Sequence, residues 1–526
     1  MDAQNDRLIS FLRTPGSYPH RPRNVQEIQT HISRVFIADS YVYKVKKPVS
    51  LGFLDFSTLE RRRHYCGEEV RLNRRLCPEV YLGVVPISER GGEFALDDET
   101  NVVEYAVKMR TLEGGAFGHD RLAREDLGRE DLDRVAETLA AFYDDESPTA
   151  KMAAWGRADR LAISTEENFE QSREFAGSLL PDCTLEAIRT YTRRFLDTQA
   201  RLLNERRAGG RILDCHGDLH LEHLYFRGKD VCIYDCIEFN ERLRTIDVAS
   251  DVAFLAMDLD FHGRPDLSVY FGEQMADRLS DPLLLNMLDF YKAYRAVVRG
   301  KVEGMRSRDG DVEPAERNQS AERARAYFRL ALRYAVAGSK PLVVAVMGRV
   351  ATGKSSLARA LGEALGWDVV SSDHERKQMA GMDPYVRGSE QEREALYAAG
   401  RTDATYDALV RRASEHVRRG RCIILDATYS RAGHREELRR TIKKAGAAYC
   451  FIELTAPDET IRCRLKERDD GQRSVSDARL EDFETLHRAY EAPDDLEDVF
   501  HFRIGSDLNG SGPLQRALQQ LIRIDF

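Results

Sequence analysis

Residues 342–355 read LVVAVMGRVATGKS, an apolar run followed by a glycine-containing segment that ends in lysine and serine. The unbroken, β-branched run from Leu342 to Met347 is typical of a strand that is buried on both faces. The segment that follows matches the pattern G-x-x-x-x-G-K-[ST], with Gly348 and Gly353 as its glycines. In this pattern the backbone N–H groups of the loop surround the phosphates of a nucleotide. The stretch therefore predicts a strand, a phosphate-binding loop and a helix.

Three polar residues lie where the loop enters the predicted helix, which runs to Leu365. We expect Lys354 to contact the β- and γ-phosphates and the hydroxyl of Ser355 to ligate Mg²⁺. Ser356 begins the helix, whose N-terminus favours bound anions. The cofactors expected here are ATP and Mg²⁺. A chance match in a loop is the alternative, and the strand before and helix after the loop disfavour it.

Further strands alternate with helices after this loop. Such alternation predicts an α/β domain with a parallel, doubly wound sheet. Ligands of such sheets bind beyond the carboxyl ends of the strands, where Asp373 and Asp426 lie in this sequence. The additional predicted strands are 367–370, 422–425, 449–454 and 499–504.

The segment SSDHERK (371–377) resembles the strand end of P-loop small-molecule and polynucleotide kinases. The resemblance implies that Asp373 is the general base toward an acceptor hydroxyl and that Arg376 clamps substrate or phosphate. It also implies that Asp426 supports Mg²⁺ through water. A helix N-cap is the structural alternative for Asp373.

Arg464 and Arg468 are four residues apart and so share one face of a predicted helix. The segment resembles the lid helix of these kinases, whose arginines neutralise the transferring phosphoryl group. A solvated basic face is the alternative. Arg435 is a weaker candidate for the same role.

A second block of polar residues lies near the middle of the chain. HGDLHLEH (216–223) is followed by a predicted hairpin and then by YDCIEFN (234–240). This order resembles the aminoglycoside-phosphotransferase-like branch of the protein-kinase fold, an α+β fold. The resemblance implies that Asp218 is a catalytic base and that Asp235 holds Mg²⁺. Asp251, in the predicted helix that begins at Ile246, resembles a family residue that ties down the catalytic loop.

The upstream part of this resemblance concerns a lysine and a glutamate. Residues 41–48 alternate like a strand and resemble the strand that carries the phosphate-binding lysine, with Lys44 preferred and Lys46 as the alternative. Glu69 in the next predicted helix resembles the ion-pair partner of that lysine, and Glu68 is the alternative. Ordinary surface charge is the structural alternative for both.

Two features depart from the family pattern. His223 stands where the family usually has a magnesium-binding asparagine. Because Mg²⁺ prefers oxygen ligands, we expect that Glu222 or Glu238 compensates for this change, or that the metal (Mn²⁺ in place of Mg²⁺) or the activity itself is altered. In addition, residues 32–40 contain no glycine, so a glycine-rich phosphate loop is missing there.

Composition and length bound the remaining expectations. A chain of 526 residues predicts two domains, and GSKP (338–341) divides a kinase-like domain, 1–337, from a P-loop domain, 341–526. The net charge of −9 argues against nucleic acid or a membrane as the main partner. The sequence shows no membrane span or export signal, so the chain is expected in the cytoplasm with its nine cysteines reduced.

The order of HGDLH, YDCIEFN and GKSS resembles bacterial bifunctional proteins that join an aminoglycoside-phosphotransferase-like domain to a P-loop kinase-like domain of the AAA_33 type. The resemblance implies ATP-dependent phosphorylation of a small hydroxylated molecule, with two nucleotide sites. Two alternatives remain open. One is a degenerate kinase-like sensor coupled to a P-loop NTPase switch, and the other is a polynucleotide 5′-hydroxyl kinase.

Overall fold

The computed structural model describes residues 3–52, 54–383, 386, 390–469, 475–497, 500–506 and 512–524. The chain forms two compact units. Unit 1 comprises Met1–Leu161 and Gln199–Lys292, and unit 2 comprises Ala162–Thr198 and Ala293–Phe526. Unit 2 thus includes helical segments that precede the GSKP linker. The domain ranges 1–337 and 341–526 remain a prediction about the sequence.

Unit 1 contains a six-stranded antiparallel sheet with the strand order β1-β2-β3-β8-β6-β7. Apolar side chains from alternate positions, among them Phe36, Tyr43, Ile87 and Ala106, form a buried cluster on the sheet. The strands β4 and β5 form a separate short hairpin. The strands are β1 Val25–Gln29, β2 Ser33–Ala38, β3 Tyr41–Lys46, β4 Ser50–Leu51, β5 Leu54–Asp55, β6 Tyr81–Arg90, β7 Glu93–Leu96 and β8 Val102–Arg110.

Two further strand pairs of unit 1 frame the 216–223 segment. They are β9 Ile212–Asp214 with β12 Thr245–Asp247, and β10 Leu224–Arg227 with β11 Asp230–Ile233. The predicted hairpin is therefore present. The helix expected from Ile246 begins instead at Val248, because residues 245–247 pair with β9. Asp247 then caps the helix by accepting a hydrogen bond from the N–H of Ala249 at 2.9 Å.

Helices of unit 1 contact both the six-stranded sheet and the 216–223 segment. Leu59–Asn73 begins where the Thr58 side chain accepts a hydrogen bond from the N–H of Arg61, and it carries the buried Glu69. Val248–Phe261 is buried along almost its whole length. The remaining helices are Ala3–Arg13, Gly118–Ala123, Arg129–Asp144, Ala150–Ala153, Ala200–Ala208, Glu241–Arg244 and Pro265–Arg278.

A disulfide joins Cys77, which follows the helix Leu59–Asn73, to Cys232 on β11. The expectation that all nine cysteines are reduced is therefore wrong for this pair. The two residues are 155 positions apart, so no local spacing indicated that the fold would bring them together. The other seven cysteines are free thiols.

Unit 2 is built around a five-stranded sheet with the order β14-β15-β13-β16-β17, in which every pairing is parallel. The predicted parallel sheet is confirmed, with strand bounds within about two residues of those expected; Val499 lies outside the described residues. The strands of this sheet are apolar and buried because helices cover both faces of a parallel sheet. The strands are β13 Leu342–Met347, β14 Asp368–Ser371, β15 Ile423–Asp426, β16 Ala448–Thr455 and β17 His501–Gly505.

Helices alternate with these strands, as right-handed parallel connections require. Two helices, Ala158–Ser172 and Leu283–Arg308, have residues in both units. The helices of unit 2 are Asp182–Thr198, Pro314–Ala337, Lys354–Leu365, Ser372–Met379, Glu390–Tyr397, Ala399–Arg418, Ala432–Lys444, Asp458–Asp469, Phe483–Arg488 and Pro513–Leu521. Among the described residues, we found no helix long and apolar enough to cross a membrane.

Candidate functional sites

The loop after β13 requires glycine at both glycine positions of the pattern. Gly348 has φ +130°, and a Cβ placed on it would lie 2.3 Å from the carbonyl oxygen of Leu454. Gly353 has φ +102° and ends the loop before the helix Lys354–Leu365. Side chains at these positions would strain the backbone, so the glycines allow the loop to take this path.

Lys354 is buried at the start of that helix, and its Nζ donates a hydrogen bond to the carbonyl oxygen of Arg349 at 2.7 Å. Its amine therefore folds back over the loop. Burial lowers the pKa of Lys354 to about 8, although the carboxylates of Asp426 and Asp373 oppose that shift. A bound phosphate would supply the negative charge that a buried ammonium needs.

The side chains of Ser355 and Asp426, which both carry oxygen atoms, lie close together at the carboxyl end of the sheet. The hydroxyls of Ser355 and Ser371 lie close enough to the Asp426 carboxylate, at the end of β15, to oppose the rise in its pKa. Burial raises the pKa of Asp426, and Lys354 opposes this shift. Oxygen donors beside a buried carboxylate fit the Mg²⁺ that the P-loop pattern implies. Ser356 is exposed in the first turn of the helix, and its N–H donates a hydrogen bond to the carbonyl of Gly353.

Asp373 lies in the first turn of Ser372–Met379, directly after β14. Arg376 Nη1 donates a hydrogen bond to its Oδ1 at 2.8 Å, and the Tyr397 hydroxyl lies 3.4 Å from the same atom. The Arg376 guanidinium also packs over the Tyr397 ring, 4.4 Å from its centroid. Asp373 and Arg376 therefore form an ion pair at the edge where Lys354 and Asp426 lie.

The predicted lid arginines lie near the phosphate loop. Arg464 Nη1 donates hydrogen bonds to the Ala351 carbonyl at 3.2 Å and to Ser506 Oγ at 3.1 Å. Arg468 is close enough to Lys354 to help lower the pKa of that lysine. Both positive charges thus lie where they could stabilise the negative charge of nucleotide phosphates.

Arg435 does not belong to this group, which corrects the weaker candidate above. Its side chain is 0% exposed, and its guanidinium pairs with Asp495 and donates to the carbonyls of Tyr429, Glu491 and Ala492. A guanidinium with all these partners is a structural tie within the fold. The charge pattern of its helix gave no sign of this, since the partners other than Tyr429 are 56 to 60 residues away.

Unit 1 places two lysines of β3 among three carboxylates. Lys44 Nζ lies 2.7 Å from Asp235 Oδ1 and 2.9 Å from Glu69 Oε1. The contact with Glu69 is an ion pair without hydrogen-bond geometry. Lys46 Nζ lies 2.7 Å from Glu69 Oε2 and also bonds Glu238. Burial would lower the pKa of Lys44, but the surrounding carboxylates, first Asp235 and then Glu69, raise it. Both lysines are therefore held as cations.

Asp218, His220 and His223 form a second group beside Asp235. Asp218 Oδ2 lies 3.5 Å from His220 Nε2 and 3.7 Å from His223 Nδ1. His223 Nε2 lies 3.6 Å from Asp235 Oδ2. Burial, and secondarily the neighbouring His220, lowers the pKa of His223 to about 4, so its imidazole is neutral at pH 7.

Asp251 holds the backbone of this segment in place. Its carboxylate accepts hydrogen bonds from the N–H of Gly217 at 2.8 Å, the N–H of His216 at 2.9 Å and the Tyr143 hydroxyl at 2.9 Å. Gly217 has φ +86° and leaves no room for a side chain beside the Leu243 carbonyl. The buried helix Val248–Phe261 thereby positions Asp218.

Sequence reasoning missed several residues of these sites. Tyr397 is 24 positions from Asp373, and its contact with that residue depends on a helix whose docking no local pattern predicts. The sequence suggests Glu238 only as an aid to the metal, whereas the structure pairs it with the fully buried Lys46. His220 belongs to the quoted HGDLH motif, so its presence was visible but its proximity to His223 was not.

A phosphate-binding loop after the central strand of a parallel sheet, with acidic residues at the neighbouring strand ends, defines a P-loop nucleotide-binding domain of kinase type. The AAA domain family model, AAA_33, matches residues 343–493. This match confirms the P-loop part of the expected resemblance. The aminoglycoside-phosphotransferase-like part remains a prediction.

The chain as a whole has mycobacterial relatives. Uncharacterized protein Rv2004c of Mycobacterium tuberculosis (strain ATCC 25618 / H37Rv) is 31% identical over 474 residues, which cover 88% of this chain and 91% of the relative. Uncharacterized protein Mb2027c of Mycobacterium bovis (strain ATCC BAA-935 / AF2122/97) matches with the same identity and coverage. The chain belongs to the family of these proteins.

Solved structures resemble parts of the chain. A gluconokinase from Sinorhizobium meliloti 1021 is 18% identical, covering 35% of this chain and 93% of its own, with a TM-score of 0.25. A choline kinase from Cryptosporidium parvum Iowa II is 11% identical, covering 63% of this chain and 95% of its own, with a TM-score of 0.36. Likenesses with such low scores do not determine the activity of this chain.

Proposed function

We propose that unit 2 transfers the γ-phosphoryl group of ATP to a hydroxyl group of a small molecule. The observation that carries the proposal is the convergence of Lys354, Asp373 and Asp426 at the carboxyl ends of neighbouring strands. Asp426 pairs in register with Ser371 of β14 and with Val346 of β13, so Asp373 and Lys354, which follow these strands, lie at the same end of the sheet as Asp426.

Each residue has a defined part in this proposal. Asp373 takes the proton of the acceptor hydroxyl while the oxygen of that hydroxyl forms a bond to the γ-phosphorus of ATP. The bond between the γ-phosphorus and the bridging oxygen to the β-phosphate breaks, and ADP is released. Arg376 holds the Asp373 carboxylate in position. Lys354, Arg464 and Arg468 stabilise the negative charge of the phosphates.

Ser355 and Asp426 are the residues that would hold Mg²⁺, and this ion supplies charge neutralisation of the phosphates when it is bound. The Ser355 hydroxyl would face the ion directly, while Asp426 would act through water. The proximity of the Ser355 hydroxyl to the Asp426 carboxylate supports this arrangement.

The acceptor is proposed to be a small molecule rather than a nucleic acid or a membrane component. The support is the net charge of −9, since an anionic chain repels polyanions unless it carries a local basic surface.

For unit 1 we propose a kinase-like nucleotide site, with Lys44 as the phosphate contact, Glu69 as its partner and Asp235 and His223 as metal ligands. The ion pairs of Lys44 with Glu69 and Asp235 support this arrangement. In the family pattern Asp218 is the base. The replacement of the usual asparagine by His223 favours a second candidate, a unit that binds ligand as a sensor without normal turnover.

The proposal for unit 2 is tested by ADP release from ATP with Mg²⁺ across a panel of sugars, aminoglycosides and nucleosides. The wild-type protein should release ADP faster with one class of acceptor, and Asp373→Asn should abolish this stimulation while still binding ATP. Asp368→Asn is the matched control, because this exposed aspartate lies at the opposite end of β14. Equal stimulation in Asp373→Asn would refute the assigned base.

The nucleotide site of unit 1 is tested by counting bound ATP. Two equivalents should bind the wild-type chain, one should bind Lys354→Ala, and none should bind Lys354→Ala combined with Lys44→Met. If Lys354→Ala alone removes all binding while its circular dichroism is unchanged, unit 1 has no nucleotide site.

A further inference from the structure

A carboxylate and two imidazoles in unit 1 have the spacing of metal ligands. Asp218, His220 and His223 each offer one ligand atom, and these three atoms lie within 4.8 Å of one another. Ligands that lie about 2.0–2.2 Å from a tetrahedral metal are roughly 3.3–3.6 Å apart. The separation of 3.5 Å from Asp218 Oδ2 to His220 Nε2 and that of 3.6 Å from Asp235 Oδ2 to His223 Nε2 are close to this range. Only small side-chain adjustments would therefore complete a site.

The hydrogen bonding of His223 orients one of its nitrogens as a ligand. Its Nδ1 lies 2.8 Å from the carbonyl oxygen of Asp218, and a carbonyl only accepts hydrogen bonds, so Nδ1 carries the hydrogen. Nε2 consequently presents its lone pair. A backbone carbonyl that fixes the tautomer in this way is typical of metal-binding histidines.

Asp235 lies outside this group of three but beside His223, where a side-chain adjustment would let it supply a fourth donor. Its Oδ2 lies 3.6 Å from Nε2 of His223, while its Oδ1 is occupied by Lys44 at 2.7 Å. The two oxygens of this carboxylate are therefore divided between the lysine and the histidine. The division leaves Oδ2 directed toward the position that a metal bound to Nε2 would take.

The ring of His220 is held rigidly beside this position. Its side chain is 3% exposed, and its centroid lies 3.9 Å from that of His223 and 5.7 Å from that of Phe254. Two neighbouring imidazoles kept at this distance are arranged before any ion arrives. A site that is formed in advance loses little side-chain entropy on binding.

We propose that Asp218, His220, His223 and Asp235 bind a borderline transition-metal dication of the Zn²⁺ class in the absence of nucleotide. Two nitrogen and two carboxylate donors suit such an ion, whereas Mg²⁺ and Ca²⁺ require mostly oxygen. With the ion bound, the Asp218 carboxylate is a ligand and not a proton acceptor. Unit 1 then acts as a metal-dependent binding unit, and phosphoryl transfer is confined to unit 2.

The test uses the full chain after dialysis against EDTA. The protein is titrated with ZnCl₂ or MgCl₂ in the absence of nucleotide, and binding is measured by calorimetry. Elemental analysis of the dialysed protein gives its metal content. Wild type should bind one equivalent of Zn²⁺ at this site, and Mg²⁺ should not displace it. Asp218→Asn and His223→Asn should each weaken Zn²⁺ binding at least tenfold. His64→Asn, an exposed histidine on the helix Leu59–Asn73, is the matched control and should bind like wild type.

Cobalt substitution gives a second readout that does not depend on stability. Co²⁺ bound by this donor set should give a visible absorption band that changes in His223→Asn and is unchanged in His64→Asn. Zn²⁺ affinity and Co²⁺ spectra that are the same in wild type, Asp218→Asn and His223→Asn would overturn the proposal. Lys354→Ala should keep the bound Zn²⁺, so failure of phosphoryl transfer in unit 2 and failure of this metal site are separate outcomes.

Discussion

Arg376 donates a hydrogen bond from Nη1 to Oδ1 of Asp373, three residues earlier on the same helix, at an N–O distance of 2.8 Å. Its side chain is 7% exposed and lies over the Tyr397 ring, so it has little freedom to move away. The arginine thus orients the carboxylate to which we assign the proton transfer. In this arrangement Arg376 acts on the reaction through Asp373, rather than only by contacting phosphate.

Arg376→Ala should therefore lower kcat at least tenfold, because Asp373 loses the partner that orients it; effects of this size are roughly those of misplacing a general base. The KM for ATP should change little. Steady-state kinetics with the acceptor found in the panel provide the measurement. Arg412→Ala is the control. This half-exposed arginine pairs with Glu375, which lies on the same helix as Arg376, and the variant should keep the wild-type kcat.

The buried Lys354 predicts a pH dependence of nucleotide binding. Its pKa falls from 10.5 to about 8 in the folded chain, so the unfolded chain binds more protons between these values. The free energy of unfolding of the nucleotide-free protein should therefore rise with pH across that window. Bound phosphates favour the protonated amine, so ATP affinity should fall as the pH rises above 8.

Calorimetry at pH 8 in two buffers of different ionisation enthalpy measures this proton directly. ATP binding to wild type should take up a fraction of a proton, because the amine is only partly protonated before binding. Lys354→Arg keeps a permanent charge and should show no such uptake. Equal uptake by both proteins would assign the proton to another group.

The geometry of the phosphate loop predicts a steric requirement at Gly348. Gly348→Ala places a methyl group 2.3 Å from the Leu454 carbonyl oxygen at a φ of +130°, so the loop or β16 must shift. We expect ATP binding to weaken at least tenfold and the Tm to fall, with a cost of roughly 1–3 kcal/mol. Gly433→Ala is the control, because a Cβ there meets nothing within 4 Å. Wild-type ATP affinity in Gly348→Ala would contradict the observed loop path.

Arg435 and Arg464 should differ in what their loss removes. Arg435→Ala leaves Asp495 and three backbone carbonyls without their donor, so the free energy of unfolding should fall by about 2–4 kcal/mol. Arg464→Ala should instead lower kcat with a smaller change in stability. Urea unfolding and kinetics of both variants separate the roles. A large loss of kcat in Arg435→Ala, with unchanged stability, would contradict the structural assignment.

The parallel sheet of unit 2 was predictable because its strands are short, apolar and β-branched, and because turn or helix residues follow each one. Leu342–Met347 matches the predicted strand, and Asp426 ends β15 as expected. A motif such as GRVATGKS also constrains its surroundings, because its chemistry requires a strand before it and a helix after it.

Long-range contacts were not predictable in the same way. The disulfide of Cys77 with Cys232 and the packing of Tyr397 on Arg376 depend on how separate elements dock. The start of the helix at Val248 depended on a strand pairing with residues more than 30 positions earlier. Local periodicity carries no information about such partners, since it records only which face of an element is buried.

The central claim is that the P-loop unit transfers phosphoryl groups, and it is tested most directly by acceptor-dependent ADP release in Lys354→Ala beside wild type and His64→Asn. We predict that Lys354→Ala loses the stimulation by acceptor, whereas His64→Asn, which lies in unit 1, keeps it. Stimulation that persists at the wild-type rate in Lys354→Ala, in a protein that remains folded, would contradict the assignment of this activity to unit 2.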